Sequence, residues 1–270
     1  QPIGLSGDSL SMLAETQHSK GIFSPKVGLL IRPFAALGQP GIGLFANVSR
    51  GFRQTDGVIT DPTLPFQTVW NYETGIKLDE GPISVDASLF RMDVSNEQTF
   101  DPVLNTTIGG GQSRRTGLDV SAHVTLAPGV KATTDFTILH AVYTHFVDAD
   151  LVDDNPSSVD SATFTGDPVF NTSKYTGAAL LDVAPPGKRW FAQLGANVQG
   201  PYTPFEEKGV LRPAYVLFSL SSGVKVYGPA EVWVGIRNLA GTGYRELESG
   251  GQVVPGEPRT VYALLRYRGI

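Results

Sequence analysis

Apolar and polar residues alternate strictly along much of this chain. Leu118, Val120, Ala122, Val124 and Leu126 interleave with Gly117, Asp119, Ser121, His123 and Thr125. Trp190, Ala192, Leu194, Ala196 and Val198 interleave in the same way with Phe191, Gln193, Gly195, Asn197 and Gln199. Ile83, Val85, Ala87 and Leu89 alternate with Ser84, Asp86 and Ser88. Successive strand side chains point to opposite faces, so each segment presents one apolar and one polar face. Helical periodicity is almost absent. The pattern predicts an all-β protein with eleven strands, at roughly 22–33, 42–53, 66–79, 82–100, 111–127, 129–146, 173–184, 188–202, 212–226, 229–245 and 257–268.

The connections predict how these strands are joined. Short turns fall at Asp79-Glu80-Gly81-Pro82, Ala127-Pro128-Gly129, Pro185-Pro186-Gly187 and Gly228-Pro229, with a medium one from Ala35 to Gly41. Between them lie polar links at 54–65, 101–110, 147–172, 203–211 and 246–256. Short turns at one end and long loops at the other describe an antiparallel up-and-down transmembrane β-barrel. A soluble sandwich would mix the two loop types and insert Greek-key crossovers. Several strands exceed the usual ~5–6 residues of globular sheets. Trp70, Tyr72, Phe100, Trp190, Tyr202, Tyr215, Tyr227 and Tyr267 near strand ends fit interfacial girdles. Lys77, Asp86, Asp119, Lys131, Asp135, Gln193 and Asn197 occupy the polar faces in mid-strand, which a sandwich with wet outer faces would also show. Two alternatives therefore stay open: a soluble β-sandwich binding module, and a plugless channel or adhesin barrel.

Composition removes other classes. A net charge of −5, from 21 Lys+Arg against 26 Asp+Glu, leaves no basic footprint for nucleic acid. Zero Cys removes disulfides, thiolate metal sites and Cys nucleophiles together. No run approaches the ~20 apolar residues of a spanning helix, which leaves strands as the way across a bilayer. Gln1-Pro2-Ile3-Gly4 shows no initiator Met or signal peptide and reads as a cut point. No Gly-x-Ser-x-Gly elbow occurs, and Gly109-Gly110-Gly111, without a Lys-Ser/Thr or a helix, reads as a hairpin tip. Glu206 and Glu207 are adjacent in a loop and would diverge. Among metal candidates, Asp148, Asp150, Asp153 and Asp154 lack an EF-hand's Gly and Glu positions and read as loop acidity. His140 and His145, an odd number of residues apart, are expected on opposite faces, while His18 and His123 are isolated. The expectation is a non-enzyme, with no catalytic, cofactor-binding or metal-ligating residues and no cofactor.

Five segments then resemble, in order, the C-terminal barrel half of TonB-dependent outer-membrane receptors. Phe23-Ser24-Pro25-Lys26-Val27-Gly28-Leu29 resembles the family's SPKxGL strand start, and Ala46-Asn47-Val48-Ser49-Arg50-Gly51-Phe52-Arg53 resembles SxxxGFR before an external loop. Asn71-Tyr72-Glu73-Thr74-Gly75-Ile76-Lys77 is similar to YExGxK, and Ser113-Arg114-Arg115-Thr116-Gly117-Leu118-Asp119 to SRxxGxE. Val234-Gly235-Ile236-Arg237-Asn238-Leu239, with Tyr244, resembles the late xxNLxxxxY strand.

The resemblance implies about 11 strands of a 22-stranded barrel in the outer membrane of a Gram-negative cell. It divides the chain into a remnant of an extracellular loop, 1–21, and the C-terminal part of the barrel, 22–270, with the plug domain absent. It implies uptake of a scarce metal chelate, most readily a ferric siderophore, by ligand binding and gated transport. The partners implied are outer-membrane lipid, the chelate, and the TonB complex through the missing N-terminal region. The last strand would face lipid with Val261, Ala263, Leu265 and Tyr267, placing Gly269 where the family usually ends in an aromatic. If that strand descends to the periplasm, the short turns are periplasmic and the long links extracellular. Ligand contact is then expected from Arg50, Arg53, Arg114, Arg115 and Arg245, because planar guanidinium donors suit carboxylate or catecholate oxygens. The same arginines could instead pair with Asp56, Glu73 or Asp101, or with lipopolysaccharide phosphates.

Overall fold

The computed structural model describes residues 21–33, 35, 41–53, 65–101, 106–148, 162–204, 209–228, 230–249 and 252–267. Its main element is one 11-stranded antiparallel meander, assembled in chain order. The strands are β1 (Lys26–Ile31), β2 (Ile42–Arg53), β3 (Gln67–Glu80), β4 (Ile83–Asp101), β5 (Thr106–Ala127) and β6 (Val130–His145), followed by β9 (Tyr175–Val183), β10 (Trp190–Gln199), β11 (Tyr215–Tyr227), β12 (Ala230–Arg237) and β15 (Thr260–Tyr267). Two small hairpins stand outside it: β7 (Val147–Asp148) with β8 (Ala162–Thr163), and β13 (Arg245–Ser249) with β14 (Gln252–Pro255). All tight connections lie at one end of the sheet, where Gly81, Gly129, Gly187 and Gly228 take positive φ. The long links lie at the other.

The eleven strands and their order match the alternation, but the strand expected over 229–245 ends at Arg237, and Arg245 starts a separate hairpin. Other details differ. The link expected over 101–110 shrinks, because β4 and β5 run on and pair as far as Asp101↔Thr106. Gly109-Gly110-Gly111 consequently lies inside β5, not at a hairpin tip; Gly111 pairs with Glu97, and the Phe146 ring occupies the space a Cβ there would need. His140 and His145 share a face, because Thr144 is an extra residue between the pairs Ser113↔Tyr143 and Gln112↔His145. The long links at 147–172 and 246–256 also hold the small hairpins, whose short strands carry no alternation to read.

Register carries one face across the whole sheet. Ala46, Thr74, Leu89, Leu118 and Ile138 form one row, and Leu44, Ile76, Ala87, Val120 and Phe136 the next. The same face continues through Leu181, Leu194, Leu220, Ile236 and Val261. Among the described residues nothing packs against it: Leu89 is 61% exposed, Val261 68% and Leu265 72%. A sandwich would bury this face under a second sheet, and there is no second large sheet among the described residues. The run Leu118–Leu126 rises about 21 Å at ~3.4 Å per residue and ~40° tilt, close to the ~25 Å apolar band of a membrane barrel.

The opposite face is polar and cross-linked. Lys77 meets Asp86 at 2.8 Å, Ser121 Oγ donates to Asp135 at 2.6 Å, and Thr137 Oγ1 donates to Asp119 at 2.6 Å. Gln193 Nε2 donates to Asp182 and Asn47 Nδ2 to Glu73. Among the described residues β1 and β15 each pair on one side only.

Candidate functional site

The five arginines singled out by sequence do not converge. Register sends Arg53 and Arg115 to the polar, inward face and Arg50 and Arg114 to the apolar, outward one. Arg245 starts β13, opposite Pro255, in the hairpin beyond β12. Arg53 ends β2, exposed, and makes no ion pair among the described residues.

Arg115 is the most firmly placed, through an irregularity in β4. Asn96 takes φ 55°, and the register shifts between Ser95 and Glu97. That shift re-aims Glu97, which simple alternation would place on the outward face with Asp93, toward the inward one. There its carboxylate receives both terminal nitrogens of Arg115, at 2.7 and 3.0 Å. Arg115 Nη1 also reaches Ser113 Oγ at 2.8 Å, and that hydroxyl donates to Glu97. The side chains are 18% and 10% exposed, so the pair is largely removed from water. Desolvating two charges is compensated only by such a complete set of bonds. Arg115 is thereby neutralised and braces the β4–β5 ladder rather than offering a cation to a ligand.

Above it lies the one buried apolar cluster found among the described residues. Tyr143 and Phe146, from the end of β6, pack on Phe164, Val169 and Phe170 of the returning link. Ring centroids are 4.9 Å apart for Tyr143–Phe146 and 5.1 Å for Phe164–Phe170. Backbone bonds from Tyr143 to Asp167 and from Val169 to Ala141 extend the edge of β6 beyond the last β9 pair. The acidic positions Asp150, Asp153, Asp154 and Asp160 of this link lie outside the described residues, as do Asp56, Glu206 and Glu207.

The inward face does assemble a recess at the long-loop end, between β10 and β15. It encloses about 320 Å³, lined by Gln193, Asn197, Ser221, Arg237, Tyr244 and Tyr262, among others. Arg237 lies over the Tyr262 ring at 5.2 Å and meets Glu257 at 3.3 Å. Its side chain is 57% exposed, so donors remain toward the opening. The rim is pinned by Asn238, which is buried at φ 47°; its amide donates to the Thr242 and Glu257 carbonyls and accepts from Thr242 N–H. Tyr244 packs 4.8 Å from Tyr215 and accepts the Glu257 N–H, over Gly256, where a Cβ would strike its ring. Tyr215 donates to Gln199 at 2.7 Å and borders an adjoining cleft of about 390 Å³ with Asp135, Thr137 and Asn197.

A guanidinium, several phenol rings and carboxamides form a surface that binds by charge, stacking and hydrogen bonding. Among the described residues no group of three or more His, Asp or Glu is placed to hold a metal. Sequence reasoning missed this recess. The alternation of Val234 and Ile236 already placed Arg237 on the polar face, but nothing in one strand's pattern shows which loop tyrosines meet it.

The profile described as TonB dependent receptor-like, beta-barrel matches residues 5–239. The metal-pseudopaline receptor CntO of Pseudomonas aeruginosa is 24% identical over 258 residues, 91% of this chain and 33% of the receptor. The chain thus spans about a third of the length of the curated relatives it matches. Among solved structures, the siderophore receptor PiuA of Acinetobacter baumannii superposes with a TM-score of 0.69 at 14% identity, over 89% of this chain and 35% of that one. The ferripyoverdine receptor of Pseudomonas aeruginosa gives 0.67 at 16%, over 92% and 33%.

Proposed function

This chain belongs to the TonB-dependent receptor-like β-barrel family, and from that premise we propose that it serves uptake of a metal chelate, most readily a ferric siderophore. As in its family it is an outer-membrane β-barrel chain, whose apolar face meets lipid and whose polar face lines the lumen. The short turns then face the periplasm and the long links the exterior. In this reading the remaining barrel strands, the plug and the TonB-coupling segment come from sequence outside this stretch. Residues 1–21 belong to an external loop and 22–270 to the C-terminal part of the barrel.

The observation that carries the proposal is the inward recess at the exterior end. Arg237 over Tyr262, with Tyr244 and Tyr215 beside it, offers a cation and π-faces to an anionic, oxygen-rich chelate. Arg53, on the same face across the sheet, is proposed as a second cationic contact, and Arg245, in the hairpin after β12, as a third. Arg50, Arg114 and Arg115 are withdrawn from this role, the first two by facing outward and the last by its bond to Glu97. Binding requires no covalent chemistry.

The test is binding and uptake of radiolabelled iron, presented as a panel of ferric siderophores, by iron-limited cells carrying the full-length protein. The proposal expects saturable binding of at least one chelate, and accumulation that stops when TonB is deleted. Arg237→Ala should weaken binding about tenfold, the scale of losing one charged hydrogen bond and its stacking contact. Uptake that continues without TonB and does not saturate would assign a passive channel instead.

A further inference from the structure

We propose that the outward arginines at the exterior end of β2 to β5 bind the phosphate of an outer-leaflet lipid headgroup. Two register rows lie directly above the apolar band on the lipid-facing side. The upper row is Arg50, Trp70, Asp93, Arg114 and Val142; the lower is Val48, Tyr72, Arg91, Thr116 and His140. Beneath them the face is mainly apolar, through Leu89, Leu118 and Ile138. Trp70 and Tyr72 stack at 6.4 Å, and indole and phenol rings of this kind settle where acyl chains give way to headgroups. The arginines therefore stand at headgroup height.

Their charges are not balanced within the chain. Asp93 is the one carboxylate in the two rows, and two guanidinium groups share it. Arg91 reaches it through Nε at 2.9 Å and Nη2 at 3.2 Å, and Arg114 through Nε at 2.7 Å. Among the described residues no acceptor meets the terminal nitrogens of Arg114, and its side chain is 45% exposed. Arg50 lies 5.9 Å from the Trp70 ring centroid, its Nε buried without a hydrogen-bond partner among the described residues. Three guanidinium groups against one carboxylate leave a net positive patch with unused, planar donors. An arginine on the lipid side is expensive in hydrocarbon and nearly free at the interface, and a phosphate there supplies the missing acceptors. His140 and the Tyr72 phenol are the remaining titratable groups in these rows.

The test uses the full-length protein in detergent, with native mass spectrometry counting retained lipid. The probes are diphosphorylated lipid A, the same lipid stripped of phosphate, and inorganic phosphate as competitor. The wild type should retain the diphosphorylated lipid, lose the dephosphorylated one, and be indifferent to inorganic phosphate at equal concentration. Arg91→Ala with Arg114→Ala should lower the apparent affinity roughly thirtyfold, about fivefold for each cation removed near an anionic headgroup. Asp93→Asn should raise retention, which a damaged barrel cannot do. Equal binding of the stripped lipid, displacement by inorganic phosphate, or retention unchanged in the double variant would overturn the proposal. If the double variant does not fold, Asp93→Asn decides alone, and unchanged or reduced retention counts against it.

Discussion

Asn96 sits at φ 55° in β4, and the residue after it turns inward to meet Arg115. One extra backbone position thus decides whether Glu97 faces lipid or lumen. Glu97→Ala should destabilise the folded barrel by about 3 kcal/mol, because it strands a largely buried guanidinium. Urea unfolding in lipid vesicles checks this, and Glu97→Gln with Arg115→Met should recover most of the loss. Alternation alone already separated Arg114 from Arg115, since neighbours in a strand cannot share a face. The same parity separates Arg50 from Arg53. Guanidinium chemistry groups the five as one ligand set, but it says nothing about side. The bulges at Asn96 and Thr144 were not legible, because Asn and Thr occur in regular strands as well and only the paired strand reveals the extra residue.

At the scale of elements, each strand is a ruler with two edges. Val120 faces lipid, while Ser121 beside it faces Asp86 across one pair and donates to Asp135 across the other. Val120→Arg should therefore cost roughly 2–4 kcal/mol of stability in bilayers. Ser121→Arg, set between two carboxylates, should cost less than about 0.5 kcal/mol. Equal costs for the two, measured by unfolding in the same vesicles, would contradict the assignment of faces. Glycines within strands add a second kind of constraint. At Gly117 a Cβ would strike the Phe90 ring and the Ile138 carbonyl oxygen, so the ring lies over bare backbone. Gly117→Ala should lower stability by about 1–3 kcal/mol through overpacking, read in the same experiment. Strand number and order were legible because every strand needed its own two-faced pattern. The pairing of β7 with β8 and β13 with β14 was not, since two to five residues hold no period.

For the whole molecule, the decisive feature is an apolar face that stays bare in a sheet of 11 strands. The described residues bury few large apolar side chains, and most of those sit in the cluster under the returning link rather than beneath the sheet. Such a face is stable in hydrocarbon and a liability in water. Among the described residues β1 and β15 each keep one edge unpaired, and a free strand edge is not tolerated within a bilayer. The family could be read from five short segments, yet the candidate recess could not, because residues such as Arg237 and Tyr244 meet only once loops and strands are assembled.

The chain contains no Cys, which makes one measurement direct. Single cysteines placed in turn from Gly117 to Leu126, in the full-length protein reconstituted into bilayers, can carry a nitroxide label. Collision with oxygen reports lipid, and collision with a water-soluble nickel complex reports the aqueous lumen. Labels at 118, 120, 122 and 124 should be oxygen-dominated and those at 117, 119, 121 and 123 nickel-dominated. A profile without period two, or with both sets shielded from both reagents as in a packed two-sheet core, would contradict it.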